Sequence, residues 1–274
     1  MKAPDNWPGR GWRLVNAPTV DALPAASVRA RGNHDARTLA QSRWLLRRKH
    51  DGRYLATLDA GGRLHALHGS ARRHDSGLAE LLRALEGGDT HDTLPTGGTE
   101  AILHALGVPA DYGERHGLAL VPEPATLWFA GFDRYRRPLW MEAAASRAWQ
   151  RMREAAKADE VVLEAISAFR SHDYQLGIFR RKLLRGLALE DILRVNAAPG
   201  FSEHHSGRAL DLSCPGAAAA EESFEDTAAF EWLRGNAGRF GFVLSYPRDN
   251  PNGIVYEPWH WCHRPQDVRS ASIA

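Results

Sequence analysis

Two short polar segments, far apart in the chain, carry residue types that bind metal ions, so a fold that uses them must bring them together. The first runs from Ser202 to Asp211 and the second from Glu257 to His260. In the first segment, Gly207 suits a turn because glycine tolerates a positive φ. With a turn at Ser206 and Gly207 followed by a strand, a histidine before the turn and Asp211 after it can converge on one point.

The residue types in these segments suit a zinc site. Histidine nitrogen and aspartate oxygen atoms are common zinc ligands, and a catalytic zinc site usually has three protein ligands and one open position. Either His204 or His205 supplies the first ligand, and Asp211 supplies the second. The third ligand has to come from elsewhere in the chain, and His260 is the candidate.

The second segment also contains a carboxylate that can take part in catalysis. Glu257 and His260 are three residues apart, so a regular strand would turn them to opposite faces. Pro258 lies between them and breaks regular strand pairing, so a local bend would bring both side chains to one site. Glu257 then fits a general base that removes a proton from a metal-activated water molecule.

Length and composition predict a globular protein with two domains. The chain has 274 residues, and a typical domain has about 100–200. The segment Val121-Pro122-Glu123-Pro124 is typical of a joint, so the predicted domains are residues 1–122, of unknown role, and 123–274, which carry the metal site. A formal net charge of +2 gives no reason to expect a nucleic acid or an anionic membrane surface as partner.

The hydrophobic spacing predicts a mixture of helices and short strands on both sides of the joint. Before it, we expect a hairpin of residues 53–58 and 63–67, and helices at 78–85 and 99–106. After it, we expect a hairpin of residues 127–132 and 137–141, helices at 142–158, 174–185 and 224–240, and strands at 161–169, 242–246 and 254–261.

The cysteines and the N-terminus bear on redox state and compartment. Cys214 and Cys262 are the only cysteines, too few for a cysteine-rich zinc ribbon, and either two free thiols or one disulfide is compatible with them. No apolar run follows Lys2, and no stretch approaches the ~18 apolar residues of a membrane span. We therefore expect a cytoplasmic protein without a membrane span; a removed leader, or export without a classical one, would place it in the periplasm.

The order of these residues resembles a known signature. Ser202-x-His204-x-x-Gly207-x-Ala209-x-Asp211 followed by Glu257-x-Trp259-His260 is similar to the motif of the VanY-type D-alanyl-D-alanine carboxypeptidases, which belong to the LAS zinc metallopeptidases. Residues 167–171 and Gln175 are similar to that family's Ser-Gly-Tyr-Arg-Ser segment and its following Gln. The likeness covers about residues 127–264. The tail at residues 261–264 departs from the family pattern, which bears on the shape of one pocket wall and not on the metal site.

The resemblance implies roles for individual residues. It implies one zinc ion per chain, held by His204, Asp211 and His260, and so selects His204 over His205. It implies that Glu257 is the general base. It also implies that Arg170 polarises the scissile carbonyl or stabilises the oxyanion, a task that suits a fixed, forked guanidinium charge. The residues implied to bind substrate, or to support the groups that do, are Ser202, Gln175, Ser171 and Trp259.

The resemblance also implies a fold and a function. The fold is α+β, a small antiparallel sheet with packed helices as in D-Ala-D-Ala peptidases and Hedgehog-like domains, preceded by a separate α+β N-terminal module. The function is removal of the terminal D-alanine from peptidoglycan stem peptides by a zinc-dependent D,D-carboxypeptidase.

Two alternatives remain open. An L,D-carboxypeptidase or endopeptidase on muropeptides, either a recycling enzyme or a lytic effector, would use the same motif. A non-catalytic zinc-binding module would need neither Glu257 nor Arg170, and both are present.

Overall fold

The computed structural model describes residues 11–67, 76–87 and 92–264, and over these ranges the protein is α+β. The strands are β1 (Arg13–Asn16), β2 (Val20–Pro24), β3 (Trp44–Arg48), β4 (Tyr54–Leu58), β5 (Leu64–Ala66), β6 (Thr126–Phe132), β7 (Pro138–Met141), β8 (Glu164–Ser167), β9 (Ala209–Ser213), β10 (Phe242–Leu244) and β11 (His260–His263). The α-helices are α1 (Asn33–Ala40), α2 (Ser76–Leu85), α3 (Thr99–Leu106), α4 (Tyr112–Arg115), α5 (Ala143–Ala158), α6 (His172–Leu184), α7 (Leu189–Arg194) and α8 (Ala228–Asn236). Short 3-10 helices cover Ala25–Ser27, Glu203–Ser206, Glu222–Asp226 and Ala237–Phe240.

The larger sheet has seven strands in the order β5-β4-β3-β2-β1-β6-β7. Every neighbouring pair in it is antiparallel. Within this sheet β1 pairs with β6, so that Leu14 lies opposite Leu127. Strands from both sides of the predicted boundary at residues 122 and 123 therefore share one sheet. The hydrogen bonds of the sheet therefore continue across this boundary. The division into two domains stays a prediction.

The smaller sheet carries two of the three candidate ligands. Its strands run in the order β10-β11-β9-β8, and all three neighbouring pairs are antiparallel. In the pairing of β9 with β11, Asp211 lies directly opposite His260. The expected small antiparallel sheet with packed helices is thus confirmed.

Helix α5 packs beside the smaller sheet and contributes to the main hydrophobic core. The Glu142 carboxylate caps α5 by accepting hydrogen bonds from the backbone amides of Ala144 (2.9 Å) and Ala145 (3.1 Å). Trp149 and Met152, spaced for one helix face, are 1% and 0% exposed and belong to the core cluster shared with β6, β7 and the smaller sheet. None of the helices in the described ranges has the length and apolar character that crossing a bilayer requires.

Most of the predicted helices and strands are confirmed, and the main error concerns the residues just before His260. Both predicted hairpins form, as β4–β5 and β6–β7, and the helix predicted at residues 142–158 is α5. The strand predicted at 254–261 is wrong, because β11 begins only at His260. Pro258 starts a turn there in which the His260 amide donates to the Glu257 carbonyl at 3.1 Å.

Gly207 closes the turn before β9, as the sequence predicts. It follows the 3-10 helix Glu203–Ser206 with a φ of +68°. A Cβ at this position would lie 2.5 Å from Leu127 Cδ2 and 2.9 Å from the Glu142 amide nitrogen. The Gly207 carbonyl accepts a hydrogen bond from that same amide at 2.9 Å. The turn that carries His204 is therefore packed directly against the start of α5.

We expect Gly207→Ala to lower the free energy of unfolding by about 1–3 kcal/mol. The new methyl group would crowd Leu127 and the Glu142 amide, and the positive φ at this position disfavours a side chain. The control is Gly235→Ala in α8, where a Cβ meets open space, and we expect it to raise the free energy by about 0.4–1 kcal/mol. Urea unfolding followed by circular dichroism measures both values. Equal urea midpoints for Gly207→Ala and the wild type would contradict the expectation.

Candidate metal centre

Three buried side chains converge where the small sheet meets the turn before β9. His204, Asp211 and His260 each place one candidate ligand atom within 4.8 Å of the other two. Asp211 bridges the two histidines: its Oδ2 lies 3.2 Å from Nε2 of His204, and its Oδ1 lies 3.2 Å from Nδ1 of His260. The antiparallel register supplies Asp211 and His260, and the 3-10 turn supplies His204.

Each histidine uses its other ring nitrogen to fix its orientation. Nδ1 of His204 lies 2.6 Å from the Ala168 carbonyl oxygen, and Nε2 of His260 lies 2.9 Å from Glu203 Oε2. A proton on each of these nitrogens completes the hydrogen bond and leaves Nε2 of His204 and Nδ1 of His260 with free lone pairs. Such outer hydrogen bonds are typical of metal-binding histidines, so the donor set fits a metal ion.

The charges around the group favour a cation at its centre. Burial alone would raise the pKa of Asp211, but His204 and His260 hold it well below its usual range. Burial would lower the pKa of His260, but its hydrogen bonds to Asp211 and Glu203 raise it. The pKa of His204 is lowered, mainly by burial. The negative potential that favours a proton on His260 favours a metal ion at the same place.

Glu203 is a site residue that the sequence reasoning missed. Besides contacting His260, its carboxylate accepts a charge-assisted hydrogen bond from Arg264. Burial alone would raise the pKa of Glu203, but the hydrogen bond with His260 and the Arg264 charge lower it, so the carboxylate stays ionised. The sequence signal for it is only its position beside His204, since its partners His260 and Arg264 lie 57 and 61 residues further along the chain.

Glu257 is brought beside the group by the turn at Pro258, as predicted. Its Oε2 lies 3.8 Å from Nδ1 of His260, and its side chain is 12% exposed. Burial, reinforced by the Asp211 charge and opposed by His260, raises the pKa of Glu257 to about 7. A carboxylate with such a pKa can both accept and return a proton near neutral pH.

Arg170 faces the group from the loop between β8 and α6. Its Nη2 lies 3.6 Å from Asp211 Oδ2, and its Nη1 donates to Gln175 Oε1 at 2.9 Å. Gln175 is fully buried and donates from Nε2 to the Ala197 carbonyl at 2.8 Å. Gln175 thus lies behind Arg170 and anchors the guanidinium.

The other residues that the resemblance implied take different positions. Ser171 caps α6, because its Oγ accepts a hydrogen bond from the Tyr174 amide at 3.1 Å. Ser202 is buried just before the turn of His204. Trp259 is partly buried and packs against the main core cluster. Their proposed contacts with substrate stay predictions.

His205, the competing histidine, points away from the metal group. Its Nδ1 lies 2.6 Å from the Arg170 carbonyl oxygen, and its Nε2 accepts a hydrogen bond from the Gly200 amide at 3.1 Å. Burial lowers the pKa of His205 well below its usual value, so the ring is neutral and both of its nitrogens take part in hydrogen bonds.

Cys214 and Cys262 are free thiols. Of the two possibilities that the sequence left open, two free thiols or one disulfide, the structure has the first.

Comparison with known proteins identifies relatives that share this region. A family model described as VanY, D-alanyl-D-alanine carboxypeptidase, matches residues 138–266. A protein of Bacillus subtilis (strain 168), provisionally named carboxypeptidase YodJ, is 30% identical over 187 residues, which are 65% of this chain and 67% of YodJ. A D-alanyl-D-alanine carboxypeptidase of Enterococcus faecium is 32% identical over 109 residues, which are 39% of this chain and 34% of that protein.

The solved structure of the LD-carboxypeptidase LdcB is 29% identical, with a TM-score of 0.45, and the match covers 62% of this chain and 72% of LdcB. The region matched by the family model contains Arg170, Glu257 and all three candidate ligands. Together with the identity to YodJ over two thirds of its length, this match shows that the chain belongs to the VanY-type D-alanyl-D-alanine carboxypeptidase family of peptidases.

Proposed function

We propose that this protein is a zinc-dependent peptidase that hydrolyses peptidoglycan stem peptides. The observation that carries the proposal is that a buried His-Asp-His group, a carboxylate of raised pKa and an anchored guanidinium face one point. A binding module would need only the first of these. Relatives named as D-alanyl-D-alanine carboxypeptidases support the substrate class.

The proposed ligands are Nε2 of His204, Nδ1 of His260 and the carboxylate of Asp211. Two nitrogen donors and one oxygen donor suit zinc in a catalytic site, where one coordination position stays open. The chemistry that such an ion supplies is Lewis acidity, which polarises a peptide carbonyl and acidifies a water molecule. Glu203 would orient His260 and increase its basicity.

Glu257 is the proposed general base. With its pKa raised to about 7, the carboxylate takes a proton from the attacking water near neutral pH, and the resulting acid returns it to the leaving amine. Arg170 is the proposed oxyanion stabiliser. Because Gln175 already holds its guanidinium, little reorganisation is needed as negative charge develops on the substrate.

Removal of a terminal D-alanine is the cleavage that we favour. It is the activity named for the family model and for the relative from Enterococcus faecium. An L,D-carboxypeptidase or an endopeptidase would use the same metal group and base. The test is mass spectrometry of defined penta-, tetra- and cross-linked muropeptides after incubation with the zinc-loaded protein, which identifies the bond that is cut.

We expect one zinc ion per chain in the wild type and loss of most of it in His204→Ala, Asp211→Ala and His260→Ala. Metal analysis after zinc loading and desalting measures occupancy. Glu203→Gln should keep the site but weaken zinc binding by about 10- to 100-fold, because it removes the charge behind His260.

The matched control for metal binding is His205→Gln, which changes a neighbouring buried histidine and should keep full occupancy. Full zinc in His204→Ala together with loss in His205→Gln would show that His205 is the ligand instead.

We expect Glu257→Gln to keep zinc and lose ~100- to 10,000-fold in kcat, because the amide preserves the shape but cannot accept a proton. Release of D-alanine from a stem pentapeptide, measured against zinc content on the same sample, tests this. Near-normal turnover would exclude Glu257 as the base and would leave the site without an assigned proton acceptor.

We expect a stem pentapeptide ending in D-Ala-D-Ala to be cleaved at its last bond, and its C-terminal amide to be cleaved far more slowly. A charged terminus that is held in place orients the last peptide bond, and such orientation can contribute ~7–11 kcal/mol in ideal cases. Parallel time courses by mass spectrometry compare the two peptides. Equal cleavage of the amide, or faster release of material from intact cross-linked sacculi, would identify an endopeptidase.

A further inference from the structure

The buried carboxylate of Glu123, in the segment of residues 121–124, joins the N-terminal strands to the start of α6, next to the loop that carries Arg170. Glu123 is 5% exposed. Its Oε2 accepts hydrogen bonds from Lys49 Nζ at 2.6 Å and from Asn16 Nδ2 at 2.9 Å, and its Oε1 accepts one from the His172 amide at 2.7 Å. Asn16 is the last residue of β1 in the large sheet, Lys49 directly follows β3 of the same sheet, and His172 begins α6.

Both charges of this pair are removed from water. Lys49 is 4% exposed, and its ammonium group also donates to the Ala17 carbonyl at 2.8 Å. A buried ion pair of this kind adds little net stability, because the desolvation cost offsets the attraction, and apolar residues of similar volume often serve as well. Stability alone therefore does not account for a charge at this place.

The charge sits where it can hold the start of α6. The first amides of a helix have no partner within the helix, and their partial positive charge favours an anion. The Glu123 carboxylate accepts a hydrogen bond from the His172 backbone amide. The Val121 carbonyl oxygen lies 2.8 Å from Nε2 of the His172 ring. The segment from Val121 to Glu123 thus contacts His172 at two points, through its backbone and through its side chain.

The start of α6 in turn determines where Arg170 points. Arg170 lies two residues before His172, and its guanidinium is anchored by Gln175 within the first turns of α6. Its carbonyl oxygen accepts from His205, whose ring packs on the His172 ring with centroids 4.3 Å apart. A shift of His172 would therefore move the backbone of Arg170 and the anchor of its side chain together.

We propose that Glu123, held in place by Lys49, is a positioning residue for Arg170, so that the N-terminal sheet forms part of the catalytic unit. The proposal rests on the proposed peptidase function, because the effect of Arg170 is measured through hydrolysis. Lys49, which lies outside the resemblance to the family motifs, would then contribute to catalysis through its contact with Glu123.

The first test compares two buried acids in the same part of the protein. Glu123→Gln keeps the size of the side chain but removes the charge that Lys49 and the helix start require. We expect kcat per zinc-loaded chain to fall ~10- to 100-fold, as small displacements of catalytic groups do, while KM changes little. The control is Asp21→Asn, because Asp21 is 1% exposed and is paired with Arg47 between β2 and β3, and we expect its kcat to stay within about threefold of the wild type.

The second test asks whether Glu123 acts through Arg170. In an Arg170→Ala background, Glu123→Gln should reduce kcat by less than about threefold further, because the group that it positions is gone. A general loss of folded protein would instead multiply with the effect of Arg170→Ala. Equal fold-losses in the two backgrounds would overturn the proposal.

A further variant separates positioning from folding. Replacing the pair by two apolar residues of similar volume, Lys49→Met with Glu123→Met, removes both charges and avoids leaving one unpaired. We expect this folded double variant to lose kcat at least ~10- to 100-fold, because methionine offers the His172 amide neither a charge nor an acceptor. Wild-type kcat in the double variant would overturn the proposal.

Hydrogen–deuterium exchange of the peptide spanning residues 168–176 gives a readout without substrate. We expect faster exchange there in Glu123→Gln than in Asp21→Asn, at temperatures equally far below each melting point. Equal exchange would overturn the positioning role. If the wild type cleaves none of the muropeptides while exchange changes as expected, the proposed function fails and the structural link to Arg170 stands.

Discussion

The pairing of β9 with β11 is the constraint on which the rest of the site depends. It sets Asp211 directly opposite His260, and the aspartate then lies within 3.2 Å of both histidines. Because side chains alternate between the two faces of a strand, a slip of one residue would turn one of the two ligands to the opposite face. The candidate metal-binding group is therefore a property of the sheet register as much as of the residue types.

Around this register, hydrogen bonds to carbonyl, carboxylate and amide oxygens orient three side chains of the candidate site. The Ala168 carbonyl orients His204, Glu203 orients His260, and Gln175 orients Arg170. Each of these supporting groups is buried or partly buried, so the functional atoms are held before any substrate arrives. Prior orientation of this kind lowers the reorganisation that charge development requires.

The strands before residue 122 are connected to the rest of the protein through more than chain continuity. β1 pairs with β6, and Lys49 forms an ion pair with Glu123. The Glu123 carboxylate also accepts a hydrogen bond from the backbone amide of His172, the first residue of α6. A boundary drawn from composition at residue 122 therefore separates residues that share a sheet and a buried ion pair. Through Glu123, the residues that follow β3 are linked to the start of α6, just after the loop that carries Arg170.

By itself, the sequence determined the features that depend on local chemistry. The ligand types, the turn at Gly207, the bend at Pro258 and the helix α5 all follow from neighbouring residues, because φ preferences, proline geometry and helical spacing act over a few positions. Residue type and spacing also identified the family.

The resemblance selected His204 over the adjacent His205, but only the tertiary structure shows why His204 faces Asp211, because the two side chains are chemically identical and differ only in their partners. Their partners, the carbonyls of Ala168 and Arg170, lie 36 and 35 residues away in sequence. The same holds for the contact of Glu203 with His260, 57 residues apart, and for the pair of Lys49 and Glu123, 74 residues apart. Such contacts form because burial requires each polar group to find a partner, and the packed fold, rather than local spacing, determines which partner is within reach.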